Sequence, residues 1–223
     1  ELIRHLANGR WRSGAMLPSE QELARELEVS QGTVRKALDA LTADHVLVRR
    51  QGRGTFVAEF GESRIMFQFF RLHPDSGKRL FPVSEVLARS SGVASAHERT
   101  MLQLGEGDLV LRIERVRYHS GTRILRETLC LPAAQFAGFD DVEHVPNNVY
   151  QFYSQRWGII VTKSSEKIKA IAATAEDASA LGCEVGEPLL AIERIAFDFN
   201  KRPVELRISH CLTTEMHYAS DLT

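Results

Sequence analysis

The chain has 223 residues, of which 43% are hydrophobic and 26% charged; this suits one or two globular domains and excludes a disordered or fibrous chain. Its formal net charge of −1 hides a split, with nine Lys/Arg against seven Asp/Glu in residues 1–58 and nineteen against twenty-two in residues 59–223. Within residues 31–58 the balance is five against two, so the total does not exclude a local surface that meets a phosphate backbone.

Leu2, Ile3, Leu6 and Ala7 share one face at helical spacing, and Asn8-Gly9 closes a first helix. In Leu17-Pro18-Ser19-Glu20-Gln21-Glu22, Ser19 and Glu22 are spaced as a capping box, and Leu23, Ala24 and Leu27 supply the buried stripe of a second helix. Glu28-Val29 makes a turn. Ser30 then caps a third helix whose inner face is Val34, Ala37, Leu38 and Leu41. Gln31, Arg35 and Asp39 fall on its outer side, with Gly32 and Lys36 beside them. Two short helices joined by a tight turn fit a helix-turn-helix, in which Gln pairs with adenine and Arg with guanine; a plain solvated helix face fits the same residues. Residues 46–50 read as a strand, Gln51-Gly52-Arg53-Gly54 as a turn and Thr55-Phe56-Val57 as a second strand. Such a wing suits close approach to DNA, because glycines let the main chain come near and Arg53 supplies charge.

Leu17-Pro18-Ser19-Glu20, Leu23-Ala24, Val29-Ser30, Thr33-Val34-Arg35, Ala37-Leu38, Leu41 and Gly52-Arg53-Gly54-Thr55-Phe56-Val57 together resemble the winged-helix signature of GntR-type bacterial transcription regulators. The resemblance covers nearly all of residues 9–57. It implies that a homodimer binds double-stranded operator DNA, with contacts at Gln21, Ser30, Gln31, Thr33, Arg35, Gln51, Gly52 and Arg53. Gln21 and Gln31 stand where many relatives carry Arg, which changes the expected operator sequence.

Residues 59–64 read as a linker, poor in apolar periodicity. Beyond it the chain is rich in strands. Residues 65–72 are apolar and aromatic; 109–118 with 124–131, and 189–199 with 204–212, read as two hairpins. Short helices are expected at 94–104, 148–155 and 175–181. Residues 106–115 (EGDLVLRIER) and 185–194 (VGEPLLAIER) are identical at five of ten positions, each between a short helix and a hairpin. Two related halves in one antiparallel sheet are therefore expected.

This layout, with its paired Ile-Glu-Arg strands, Leu131-Pro132, Val149-Tyr150 and Pro203-Val204-Glu205, is similar to the UTRA effector domain of the HutC branch of that superfamily. The resemblance implies an α+β protein: an N-terminal winged helix-turn-helix (1–58), a linker (59–64) and a C-terminal antiparallel-sheet UTRA domain (65–223) with a chorismate-lyase-like fold. On the first hairpin, alternation puts Arg115 and Arg117 on the face of Leu111 and Ile113, and Glu127 on that of Leu125 and Leu129. Buried unpaired charges are costly, so these either pair with each other or line a cavity for a polar ligand. The resemblance points to the cavity and implies effector contacts at Arg115, Arg117, Glu127, Tyr150 and Glu205. Phe67-Gln68-Phe69-Phe70-Arg71-Leu72 lacks the Ser/Thr-rich loop of sugar-phosphate-responsive relatives, which argues against a sugar phosphate and leaves carboxylates open as effectors.

The function so implied is a sequence-specific transcription regulator, a repressor released from its operator by a small acidic metabolite. A lyase-like enzyme is the alternative, but no nucleophile elbow, metal motif or phosphate loop supports it, and no cofactor is expected. Cys130, Cys183 and Cys211 are scattered without a C-x-x-C and the eight histidines are dispersed, so neither disulfides nor a metal site is expected. With no apolar run of about 18 residues and no secretory pattern, the expected location is the cytoplasm. The chain opens on Glu1 rather than Met, so further N-terminal residues are expected.

Overall fold

The computed structural model describes residues 1–7, 9–12, 14–43, 46–58 and 69–220. Its N-terminal part comprises α1 (Leu2–Ala7), α2 (Glu20–Glu26), α3 (Gln31–Ala43), β1 (Leu47–Arg50) and β2 (Gly54–Val57). The Ser19 hydroxyl accepts from the Glu22 N–H while the Glu22 carboxylate takes the Ser19 N–H, so the predicted capping box starts α2. Ser30 Oγ accepts from the Thr33 N–H at 3.1 Å and starts α3 in the same manner. Leu23, Val34, Leu38 and Leu41 are buried against Leu2, Leu6, Val46 and Val57. The wing pairs Leu47 with Val57 and Arg50 with Gly54. It turns at Gly52 and Gly54, whose φ angles of +70° and +107° are open to glycine and strained for other residues. Two side chains from far along the chain, Ile160 and Phe199, complete this core.

The larger part is a six-stranded antiparallel sheet in the order β4-β5-β6-β9-β8-β7. Its strands are β4 (Val83–Val93), β5 (Leu109–His119), β6 (Thr122–Pro132), β7 (Val161–Ala172), β8 (Pro188–Asp198) and β9 (Pro203–Leu212). Helix α4 (Ala96–Leu102) lies between β4 and β5, and α6 (Ala175–Leu181) between β7 and β8. The sheet is thus two strand–helix–hairpin units that meet at β6 and β9, as the internal repeat predicts. The repeat reaches individual contacts. Ser95 and Glu98 form a capping box on α4, and Thr174 and Asp177 form the same box on α6. In each unit the third helical residue also reaches to the sheet: Glu98 takes Arg112 Nη2 at 2.6 Å, and Asp177 meets His210 Nδ1 at 2.7 Å. The Arg112 bond leads in lowering Glu98 to about 2; at Asp177 burial opposes ionisation, but His210 and Thr174 outweigh it and hold that acid at about 2 as well.

Helix α5 (Val149–Trp157) covers the opposite face, where Tyr150 and Tyr153 pack with Leu111, Ile113, Leu129, Leu131 and Val204. Short strands β3 (Leu72–Pro74) and β10 (Met216–Tyr218) pair with each other, and their Leu72 and Met216 pack with Leu125, Ile192 and Cys211 of the sheet. The structure departs from one expectation and adds two strands. Among the described residues of the apolar stretch at 65–72 only Leu72 is strand, while Phe69 and Phe70 are buried without being strand. Its first four residues and the linker at 59–64 lie outside the described residues. Both outer strands, β4 and β7, went unforeseen: most of their residues are exposed or half-buried, so neither shows an apolar alternation. Lys163, Lys167 and Lys169 on β7 are the charges that keep an edge strand from pairing with another chain.

Candidate functional site

The N-terminal residues singled out for DNA contact are exposed and span one region of the winged helix. Gln21 lies in α2; Ser30, Gln31, Thr33 and Arg35 lie at the start of α3; Gln51, Gly52 and Arg53 form the wing turn. Arg35 is not free in solution. Its Nε and Nη2 donate to Glu20 Oε2 at 2.9 and 2.8 Å, and Gln31 Nε2 donates to the same oxygen at 3.3 Å. Arg49 on β1 approaches the other Glu20 oxygen at 3.7 Å and pairs with Asp39 at 2.6 Å. The Arg35 hydrogen bond holds the Glu20 carboxyl below its usual range, and Glu20 in turn raises Arg35.

The five residues assigned to an effector converge in one buried cluster, all at 2% exposure or less. Arg115 Nε donates to Glu127 Oε1 at 2.5 Å. Glu127 Oε2 takes Arg207 Nη1 at 3.4 Å and Ser209 Oγ at 3.3 Å. Glu205 accepts four bonds, from Tyr150 and Tyr153 hydroxyls at 3.0 and 2.8 Å and from Arg207 Nε and Nη2 at 2.9 and 3.0 Å. Arg194 donates to Glu166 Oε1 at 2.6 Å and also bonds the Phe69 carbonyl. Burial works against ionised Glu127, yet Arg115, Arg207 and Arg117 overcome it and hold its pKa far below the usual carboxylate range. Burial also opposes the charge of Arg207, which Glu205 and Glu127 more than offset.

Arg117 differs from its neighbours. Its guanidinium lies between the Phe70 and Phe81 rings, 5.1 and 4.9 Å from their centroids. It donates to the Pro82 carbonyl at 3.0 Å and reaches Asn147 Oδ1 only at 3.5 Å. Its Nε has no hydrogen-bond partner among the described residues, and Glu127 lies 3.9 Å away. Burial, with Arg115 adding to it, pulls the Arg117 pKa down to about 9. Glu127 therefore pairs closely with Arg115 and more loosely with Arg207, and for Arg117 this shared carboxylate, at 3.9 Å, is the nearest among the described residues. The internal pair is present, and Arg117 adds a further positive charge beside it.

Four buried arginines face two fully buried carboxylates and the partly buried Glu166, so the cluster carries net positive charge. Arg194 and Arg207 were not foreseen. Arg194 is the repeat counterpart of Arg115, and Arg207 shares a strand face with Glu205, so both signals were present in the sequence. The free space among these groups is small, about 10 Å³ beside Arg117 and Tyr150 and about 20 Å³ beside Glu127 and Ser209, each near the size of one water. A wider groove of about 900 Å³ opens elsewhere, between the Ser120-Gly121 turn, Lys78 and the end of α6. It is open to solvent; of its charged groups Lys78, Arg123 and Glu215 are exposed and Glu187 is half-buried.

Comparison with known proteins agrees with both regions. Residues 1–57 match the model for bacterial regulatory proteins of the gntR family, and residues 77–217 match the UTRA domain model. The chain is 30% identical over 213 residues to the "Probable fructoselysine utilization operon transcriptional repressor" of Escherichia coli (strain K12), covering 94% of this chain and 86% of that protein. It is also 30% identical over 210 residues to the "Histidine utilization repressor" of Pseudomonas putida, covering 94% and 84%. Among solved structures it is similar to PhnF from Mycobacterium smegmatis, with 26% identity and a TM-score of 0.61 over 100% of this chain and 97% of that one.

Proposed function

The chain belongs to the GntR family of bacterial regulatory proteins, with a UTRA effector domain behind its winged helix, and from that premise we propose that it is a homodimeric repressor whose operator grip is released by a small anionic metabolite. The observation that carries the anion is Arg117, a buried cation with an unbonded Nε whose nearest carboxylate among the described residues, Glu127 at 3.9 Å, is already held by Arg115. Arg is suited to this because its fork meets a carboxylate or phosphate bidentately. Arg115 and Arg117 take the acidic group, while Tyr150, Glu127 and Glu205 turn toward hydroxyl or amino groups of the same molecule. The domains divide at residues 59–64, the matched regions lie on either side, and the protein works in the cytoplasm. Its relatives are named as regulators, which favours this reading over a lyase.

Opening the packed cluster is the energetic event. A metabolite needs a few hundred Å³, far more than the space between the side chains, so Phe70, Phe81 and α5 must give way. Strands β8 and β9 carry Arg194, Glu205 and Arg207, and Phe199 at the turn between them rests in the winged-helix core. Ligand entry therefore biases the seat of the reading helix, a population shift in which the effector prefers the geometry that fits DNA badly.

One experiment tests the whole reading. The full chain selects duplexes from a random library, and the selected duplex is challenged with a panel of small carboxylates and phosphate esters while melting temperature is followed. The expected result is a two-fold-symmetric sequence and at least one acid that both raises the melting temperature and releases the DNA. Failure of every acid, with a neutral or cationic metabolite acting instead, would overturn the anion assignment. On the same duplex, Arg35→Ala should cost about 1–3 kcal/mol and relax one base preference. Arg53→Ala should weaken selected and scrambled duplexes alike and flatten the salt dependence by about one ion.

A further inference from the structure

A carboxylate at the centre of a surface built for phosphate is out of place on electrostatic grounds. Glu20, the first residue of α2, lies there. Its Oε2 gathers Arg35 and Gln31 from α3, and its Oε1 faces Arg49 from β1. Its side chain is 24% exposed, whereas that of Arg35 is 57% exposed. The two Arg35 bonds use Nε and one Nη2 hydrogen, which leaves the terminal Nη1/Nη2 edge free. That edge is the one that meets guanine O6 and N7. We propose that Glu20 is a positioning residue for base recognition: it fixes Arg35 in the orientation that reads a base and cancels its charge toward phosphates at mismatched sites. The inference rests on the DNA-reading role of α3 and adds to it a source of discrimination.

The physical logic has two parts. An arginine on an exposed helix face loses rotamer entropy when it docks, and a carboxylate that holds it beforehand removes part of that loss. Without a matching base, the same carboxylate keeps the guanidinium from acting as a mobile counterion for backbone phosphates, the source of sequence-independent affinity. Specific binding gains while non-specific binding falls.

The test uses the full chain and a random duplex library, comparing wild type, Glu20→Gln, Arg35→Ala and the double variant. Glu20→Gln keeps the side-chain volume and removes the charge. Its expected result is a roughly tenfold lower ratio of affinities for the wild-type-selected duplex over a scrambled duplex, within the range of one base contact. The scrambled duplex should bind more tightly, with a salt dependence steeper by about one ion. In the Arg35→Ala background Glu20→Gln should leave the ratio unchanged, because Glu20 acts through Arg35. A ratio within twofold of wild type would overturn the inference, as would equal weakening on both duplexes with a lowered melting temperature, the mark of a folding strut. A wild-type chain that enriches no sequence overturns the DNA-reading proposal and this one with it. A wild-type preference that survives intact in Glu20→Gln overturns this one alone.

Discussion

Glu205→Leu should lower the melting temperature of the effector domain by on the order of 10 °C, the largest stability loss expected of any single change in the cluster. Glu205 is fully buried and accepts from two tyrosine hydroxyls and, through two nitrogens, from Arg207. Leucine offers no acceptor, so the only carboxylate left to Arg207 among the described residues is Glu127 at 3.4 Å, and both hydroxyls lose their bond to Glu205. Stranding a buried charge in this manner costs about 3–5 kcal/mol. A second change separates this cause from misfit: adding Arg207→Met should recover much of the loss, since apolar replacement of a whole buried pair is often neutral. Calorimetry on both variants checks it. A loss under about 1 kcal/mol for the single change would show that Glu205 does not hold the cluster together.

Arg117→Met should do the opposite. It removes a buried cation whose nearest carboxylate among the described residues, Glu127 at 3.9 Å, is already paired with Arg115, so the melting temperature should stay level or rise. Operator release, however, should need about 100-fold more acidic effector, the loss expected when a charge-assisted contact of nearly 3 kcal/mol disappears. Arg115→Met provides the contrast, because Arg115 is the partner of Glu127 at 2.5 Å. That variant should melt lower and respond poorly for structural reasons. If Arg117→Met and Arg115→Met behave alike in melting, Arg117 is part of the internal pairing and the anion sits elsewhere.

The two regions differed in how much of them the sequence disclosed. The winged helix is written locally: Ser19 and Glu22 cap one helix, Ser30 caps the next, and Gly52 and Gly54 set the wing. Each signal acts within a few residues, so no tertiary information is needed. The paired hairpins were legible for a similar reason, and the repeat carried the symmetry down to the Glu98 and Asp177 capping boxes. Strands β4 and β7 were not legible, because an edge strand exposed on much of its surface has no period-two burial to reveal it. Nor was the pairing of β3 with β10, where Leu72 meets Tyr218 across most of the chain. In the cluster, alternation found Arg115, Arg117 and Glu127, but not which arginine holds the glutamate. That choice depends on a difference of little more than 1 Å, 2.5 against 3.9, set by side-chain packing. Glu20 was read as part of a helix start, and only its position opposite Arg35, fifteen residues on, reveals a second role.

Ile160 and Phe199 have a thermodynamic consequence for the smaller domain. A unit of about 60 residues buries a low share of its surface and is marginal by itself. Here part of its apolar interior comes from the other domain, so the reading head does not own the whole of its core. Phe199 forms one wall of an open, mostly apolar groove of about 450 Å³ beside Leu2, Val34 and Leu41, and whatever draws it away exposes those side chains further. The reading head then loses rigidity as well as orientation, and DNA, which must pay to stiffen it again, is bound more weakly even where the two half-sites still fit. Softness of the helix thus becomes a currency in which a distant ligand can be felt.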